Sequence, residues 1–420
     1  MSLRLQLLAL TVSLIACAAS PPRPPSAEPV AQAGRANMVP SARPWRDAAV
    51  RFHSGAAWLG GDGAYSIDLG PQRVLWLFAD TFIDPLADGS RVDGPNDFIR
   101  NSIAIQSGPD RASAHDLSRA SLAFSWGHMP NGQPTSFFRD IDSASRWIWP
   151  LHGARLPDGK LLIFRMEIVS RPGGFGFAVD AWDALAIDDP DQTVETWRPR
   201  PVASANHAFG KMIGSSVLID HGYLYAYAVD VGGDDHSVFL ARWSVAAISG
   251  LVSGALDDPE WFRGGSFIRA SALVDGQPSP LFRDGQTEFS VHYEAARERF
   301  VEIQMQGLFV SDPQTQIGLR SAPRAEGPWS TLSPFYRPVE SQASGAGDWA
   351  AYAAKAHPEQ LGADEVLTYV VNDVKHSPPA DAIYYPQPLR LNYRPAVARG
   401  NAGDRKHDVR TFRSARARRR

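Results

Sequence analysis

Gly63-Ala64-Tyr65-Ser66-Ile67-Asp68-Leu69-Gly70-Pro71-Gln72-Arg73-Val74-Leu75-Trp76-Leu77-Phe78 is two strands and a turn. The first segment alternates in polarity, and Gly70-Pro71-Gln72 fits a three-residue hairpin loop. The second is an apolar run of a length that suits a buried strand. The pattern returns four times. Trp147-Ile148-Trp149 turns at Pro157-Asp158-Gly159 into Leu161-Leu162-Ile163-Phe164, and 214–219 turns at Asp220-His221-Gly222 into Tyr223-Leu224-Tyr225-Ala226-Tyr227. Residues 288–293 turn near Arg297-Glu298 into Phe300-Val301-Glu302-Ile303, and 352–357 turn near Gly362-Ala363-Asp364 into Val366-Leu367-Thr368-Tyr369-Val370-Val371. The second strands begin near 74, 161, 223, 300 and 366, which leaves room for two more strands each time. No long stretch between Trp45 and Arg394 has helical periodicity. Four-stranded units repeated in this way are arranged radially in β-propellers, so the sequence predicts an all-β chain with a five-bladed β-propeller over residues 45–395. A β-sandwich has no need of five equivalent hairpins.

Outward from this body, residues 1–16 have the layout of a secretory signal peptide. Arg4 precedes the apolar run 7–15, which is too short to span a bilayer. The run closes on Leu14-Ile15-Ala16-Cys17, which resembles the lipobox of bacterial lipoproteins, with Cys17 as the lipidation site. Cys17 is the one cysteine of 420 residues, so the exported fold must be stable without a disulfide. Residues 17–44, rich in Pro and Ala, read as an extended tether. Residues 396–420 read as a basic, solvated tail, with contact to anionic glycan or lipid headgroups as the sharper reading. The expected location is the cell envelope, lipid-anchored, with Ala18 after the acylated cysteine favouring the outer membrane. A net charge of −3 points to no special partner. The expected partners are a polysaccharide and, through the lipid alone, a membrane; no nucleic acid is expected, and the chain should act as a monomer. Twelve tryptophans in a loop-rich exported domain suit carbohydrate handling.

In a propeller the first strand of each blade lines the central channel, so its beginning faces a common rim. Twelve residues back from the second-strand starts lie Asp62, Trp149, Lys211 and Glu288; the fifth unit offers Lys355 with His357 just beyond. The sharpest local feature is a pair of carboxylates. If Gly70-Pro71-Gln72 is the loop, Leu69 faces Arg73, and the same register carries Asp62 opposite Asp80 on one face, with Cβ atoms ~5 Å apart. Two carboxylates that close cannot both ionise freely; one keeps its proton while the other stays charged. Retaining glycosidases use that arrangement, one carboxylate as nucleophile and the other as general acid/base.

The segments Gly61-Asp62-Gly63-Ala64-Tyr65-Ser66, Leu75-Trp76-Leu77-Phe78-Ala79-Asp80-Thr81-Phe82 and Arg100-Asn101-Ser102 resemble the opening of the endo-D-arabinanases. These five-bladed bacterial propellers form glycoside hydrolase family 183, formerly a domain of unknown function. The similarity continues through Glu288-Phe289-Ser290-Val291, Gly327-Pro328-Trp329 and Ala354-Lys355-Ala356-His357-Pro358. It implies internal, retaining cleavage of arabinofuranosyl linkages, with the family's paired aspartates on Asp62 and Asp80; the family's glycine before the second aspartate is Ala79 here. Trp149, Lys211, Glu288 and His357 would position the sugar, and Asn101 would bond a ring hydroxyl. Which aspartate is the nucleophile stays open at this stage. The competing reading is a non-catalytic glycan-binding propeller. A sialidase is weaker, since no Ser-x-Asp-x-Gly-x-x-Trp box occurs. Asp234-Asp235-His236 reads as solvated loop, so no metal and no cofactor are expected.

Overall fold

The computed structural model describes residues 38–395 except 56, 85–97, 140, 174, 207, 233–234, 274–275, 344–346, 348, 363 and 376–382. The leader, Cys17, most of the tether and the basic tail lie outside the described residues, as does Asp234. Strands are numbered along the chain. Each of the five hairpins opens one sheet. The first sheet holds β3 (Tyr65–Asp68), β4 (Arg73–Phe78), β7 (Ser102–Ser107) and β8 (Ser121–Ser125), adjacent in that order. The second holds β11 (Arg146–Arg155), β12 (Leu161–Ser170), β13 (Phe177–Ile187) and β14 (Arg200–Asn206). The third adds a strand: β15 (Met212–Asp220), β16 (Tyr223–Val229), β17 (Val238–Ser244), β18 (Glu260–Arg263) and β19 (Ser266–Arg269). The fourth holds β20 (Ser290–Glu294), β21 (Arg299–Gln306), β22 (Gln316–Ala322) and β23 (Ser333–Tyr336). In the fifth, β24 (Trp349–Ala356), β25 (Glu365–Asp373) and β26 (Gln387–Pro395) are completed by β1 (Met38–Pro44), which pairs with β26 from the other end of the chain. Two smaller sheets, β2 (Trp58–Gly61) with β5 (Thr81–Ile83) and β6 (Phe98–Ile99), and β9 (Gly127–His128) with β10 (Pro134–Thr135), accompany the short helix α1 (Arg46–Phe52).

Side chains join the first strands into a closed circuit. His152 Nε2 donates to Ser66 O (3.1 Å), and its Nδ1 accepts from Val217 N (2.9 Å). Ser216 Oγ accepts from Val291 N (2.7 Å), Ser290 Oγ accepts from Ala356 N (2.7 Å), and His357 Nδ1 returns to Ser66 Oγ. The five larger sheets are thus linked in sequence and back to the first, which is a propeller-like arrangement. His152 must be neutral in this circuit, because a protonated Nδ1 cannot accept. Burial, helped by the nearby Lys355 charge, lowers its pKa to about 4 despite the bond to Ser66. The space between sheets is filled by the apolar second strands. Phe164 of the second sheet, for example, meets Trp243 of the third (ring centroids 6.1 Å).

Three of the inner strands are irregular about midway, whereas β20 keeps an unbroken register with β21. β11 has a register shift between Pro150 and Gly153, β15 between Ile213 and Ser216, and β24 between Tyr352 and Lys355. Ahead of β3, Gly63 (φ 80°) and Ala64 (φ 55°) break the strand at a matching position. An extra residue of this kind turns the preceding side chains off the sheet plane. Ahead of three of these breaks stand Asp62, Trp149 and Tyr352, which share one opening.

Candidate active site

Leu69 N donates to Arg73 O (3.1 Å), and the ladder runs from Asp68 opposite Val74 to Tyr65 opposite Leu77. Across the Gly63–Ala64 break the two chains stay joined, with Asp62 N donating to Asp80 O (3.2 Å) and Ala79 N to Asp62 O (3.0 Å). Asp62 and Asp80 therefore face each other, and both line a cavity of about 350 Å³. Trp149, Glu288, Tyr352 and Tyr384 line it as well, so the first, second, fourth and fifth sheets or their loops all contribute.

The two aspartates have different partners. Asp62 Oδ2 accepts from Tyr352 Oη (2.8 Å), while its buried Oδ1 has no hydrogen-bond partner. Burial, then repulsion from Asp80 and Glu288, pushes the Asp62 carboxyl well above the usual range; the Tyr352 and Tyr384 hydroxyls oppose this only in part. Asp80 Oδ1 accepts from Trp149 Nε1 (2.7 Å), and Arg100 Nη1 lies 3.3 and 3.4 Å from its two oxygens. Burial raises Asp80 too, but the Arg100 charge and these donors pull it back. Arg100 is held in place over the Trp147 ring, 4.0 Å from its centroid. Both carboxyls are raised, Asp62 the more strongly, so the partners favour the proton on Asp62.

Glu288 is the third acid of the cavity. The buried Lys355 donates to Glu288 Oε1 (2.9 Å) and Ala353 O (3.1 Å) and sits over the Tyr65 ring at 4.2 Å. Burial lowers the Lys355 pKa, and the Glu288 charge opposes that. Left-handed backbone at Ala64 (φ 55°), Ala353 (φ 57°) and Tyr384 (φ 71°) clusters here, as strained residues do at functional sites. Tyr384 Oη donates to Asp80 O (3.2 Å).

Three residues expected at the rim lie elsewhere. Asn101 is fully buried and staples two segments together: its Nδ2 donates to Phe138 O and Ile148 O (3.1 Å each), and its Oδ1 accepts from Phe138 N (2.7 Å). Its neighbour Arg100 points the other way, to Asp80. Lys211 bonds Asp230 (2.6 Å) and lies over Phe239, outside the cavity lining. His357 is buried at the turn end of its strand, where Nε2 meets Thr368 Oγ1 (2.7 Å), so it serves the circuit of inner strands. The fifth hairpin has a longer connection than the first, and counting back from Val366 stops short of the rim. Tyr352 occupies that place. Tyr352 opens the fifth hairpin in the sequence but carries no local sign of a role, and Tyr384 has no local signal at all.

Fold and cavity together define a propeller-like β protein with a half-buried carboxylate pair. The model of a protein family described as "Domain of unknown function (DUF5005)" matches residues 50–399. The chain belongs to that family. Among curated proteins none matches it in sequence. A candidate hydrolase from Bacteroides ovatus has a similar structure, with TM-score 0.62 at 15% identity over 83% of this chain and 90% of that one. Weaker likenesses include the catalytic domain of an α-L-arabinofuranosidase from Coprinopsis cinerea (TM-score 0.44, 12% identity, 80% of this chain and 91% of that one). Another is an α-L-arabinanase from Cellvibrio cellulosa (TM-score 0.39, 12% identity, 79% and 92%).

Proposed function

We propose that this protein is a retaining glycoside hydrolase, with Asp62 as general acid/base and Asp80 as nucleophile. The observation that carries this is the opposition of two half-buried carboxyls with unequal partners. Asp62, crowded by two other carboxylates, holds a proton to give to the leaving oxygen. Asp80, with Arg100 and Trp149 donating to it, stays charged to attack the anomeric carbon. Residues opposed in a hairpin are ~5 Å apart at Cβ, which allows their carboxyl groups the ~5 Å separation that a double displacement uses. The second step reuses Asp62 as base toward water. Tyr352 and Tyr384, whose pKa values burial pushes well above 10, remain hydroxyl donors throughout. The resemblance of the first hairpin to the endo-D-arabinanases supports an arabinofuranosyl polymer as substrate and each of the five larger sheets as a propeller blade. The lipobox-like leader supports anchoring in the cell envelope through Cys17.

Asp62→Asn and Asp80→Asn should each lower hydrolysis of arabinan by about 10³-fold or more, with the thermal unfolding midpoint little changed. An aryl arabinofuranoside with a good leaving group should partly restore Asp62→Asn and not Asp80→Asn, because only the acid becomes dispensable. The alkaline limb of kcat/KM should lie above the usual carboxylate range, since activity is lost as pH rises through the raised pKa of Asp62. If wild type releases nothing from D-arabinan or L-arabinan, or either variant turns over normally, the chain is a glycan-binding module instead.

A further inference from the structure

The exposed rings near the cavity are not scattered. Phe175 is 64% and Phe177 38% exposed, and both line the cavity mouth at the tip of the β12–β13 hairpin. Phe177 begins β13 opposite Ser170, and Val179, two residues on, also lines the cavity. The tip is held by its own backbone, with Arg171 N donating to Gly176 O and Gly176 N to Gly173 O (2.9 Å each). The Phe177 ring meets Trp149 edge-on at 4.8 Å, and Phe175 lies nearly parallel to Phe177 at 6.3 Å. Trp149 is itself bonded to Asp80. An unbroken aromatic row thus leads from the nucleophile into solvent. Rings left in water at a pocket edge are a costly arrangement unless something covers them. The charge of the cavity selects among possible covers. No lysine, arginine or histidine lines it among the described residues, and Arg100 and Lys355 beside it are committed to Asp80 and Glu288, so an anionic ligand finds no cation to pair with.

We propose that Trp149, Phe177 and Phe175 form a rail on which successive residues of an uncharged glycan chain stack by their C–H faces. This rests on the glycosidase reading of the same cavity and extends it: the substrate is a neutral polymer, held well beyond the linkage that is cut. The test compares the full chain with Phe175→Ala and with the Phe175→Ala/Phe177→Ala pair. Two readouts are used: calorimetric binding of D-arabinan and L-arabinan, with polygalacturonate as the charged control, and kcat/KM on arabino-oligosaccharides of increasing length beside an aryl arabinofuranoside. Wild type should bind a neutral arabinan and not polygalacturonate, and its kcat/KM should rise with chain length. The double variant should lose about tenfold in polymer affinity and in kcat/KM, through KM, with a much smaller loss on the aryl glycoside. Ring-dependent binding without cleavage would sink the hydrolase and keep the rail. Cleavage without chain-length dependence, binding that ignores both substitutions, equal binding of polygalacturonate, or no binding of either arabinan would overturn the rail.

Discussion

Glu302 is more deeply buried than Asp62, and it does not line the cavity. Arg320 Nη1 donates to its Oε2 (3.2 Å), and Oε1 is buried without a hydrogen-bond partner. Burial outweighs the arginine and pushes the Glu302 carboxyl up to about 7. In the unfolded chain a glutamate titrates near 4.3. Between these values the unfolded state loses a proton that the folded state keeps, so stability falls as pH rises through the window and is level on either side. The Glu302 contribution to that fall is roughly 4 kcal/mol. Glu302→Gln should remove this slope, leaving a variant more stable than wild type at pH 8 relative to their difference at pH 4. Urea unfolding at both pH values checks it; equal slopes would mean that Arg320 keeps Glu302 charged. The carboxylates of the cavity cost stability in the same direction, and there the cost produces a proton donor.

At the scale of elements, the bulges decide what the cavity contains. Gly153 sits in the β11 shift, where an added Cβ would run into the carbonyl oxygen of Leu162 in the neighbouring strand. Gly153→Ala should therefore cost about 2 kcal/mol and reduce activity, since Trp149 hangs from the same strand just ahead of the shift. Gly347→Ala, where the space is open, is the control. If Gly153→Ala unfolds like wild type, the bulge is not fixed by that contact. The same irregularities set how far the sequence could be read. The hairpins are legible because turn residues and apolar runs are local signals. Asp62 opposite Asp80 is legible because a three-residue loop sets the register. Trp149 and Glu288 lie within reach of a simple count from the turns. Tyr352 was missed because both a bulge and a longer loop intervene between it and β25. Arg100 was overlooked beside Asn101 because nothing local says which of two neighbours points inward. Tyr384 comes from an irregular segment before β26 that follows no period, and Phe175 sits on a glycine-rich tip that resembles any loop.

At the scale of the whole molecule, the ring is shut by strands from opposite ends of the chain. β1 covers the outer edge of β26, Arg43 pairs with Asp364 (3.0 Å), and Trp45 N donates to Pro388 O (2.8 Å). A chain beginning at Trp45 keeps the last of these bonds and loses the strand, so β26 becomes an open edge. Its thermal midpoint should drop by roughly 5 °C or more, and light scattering should show association that rises with concentration. An unchanged midpoint with no association would mean that β1 adds nothing. The same closure also has a consequence in time. β1 is among the first of these strands to be synthesised, and its partner is the last. Until nearly the whole chain has emerged, the first strand has nowhere to dock and the fifth sheet cannot be finished. Contacts of such long sequence separation form late and slowly. The moment of greatest exposure for this protein is therefore during its making, when two unpaired edges wait for each other across almost its full length.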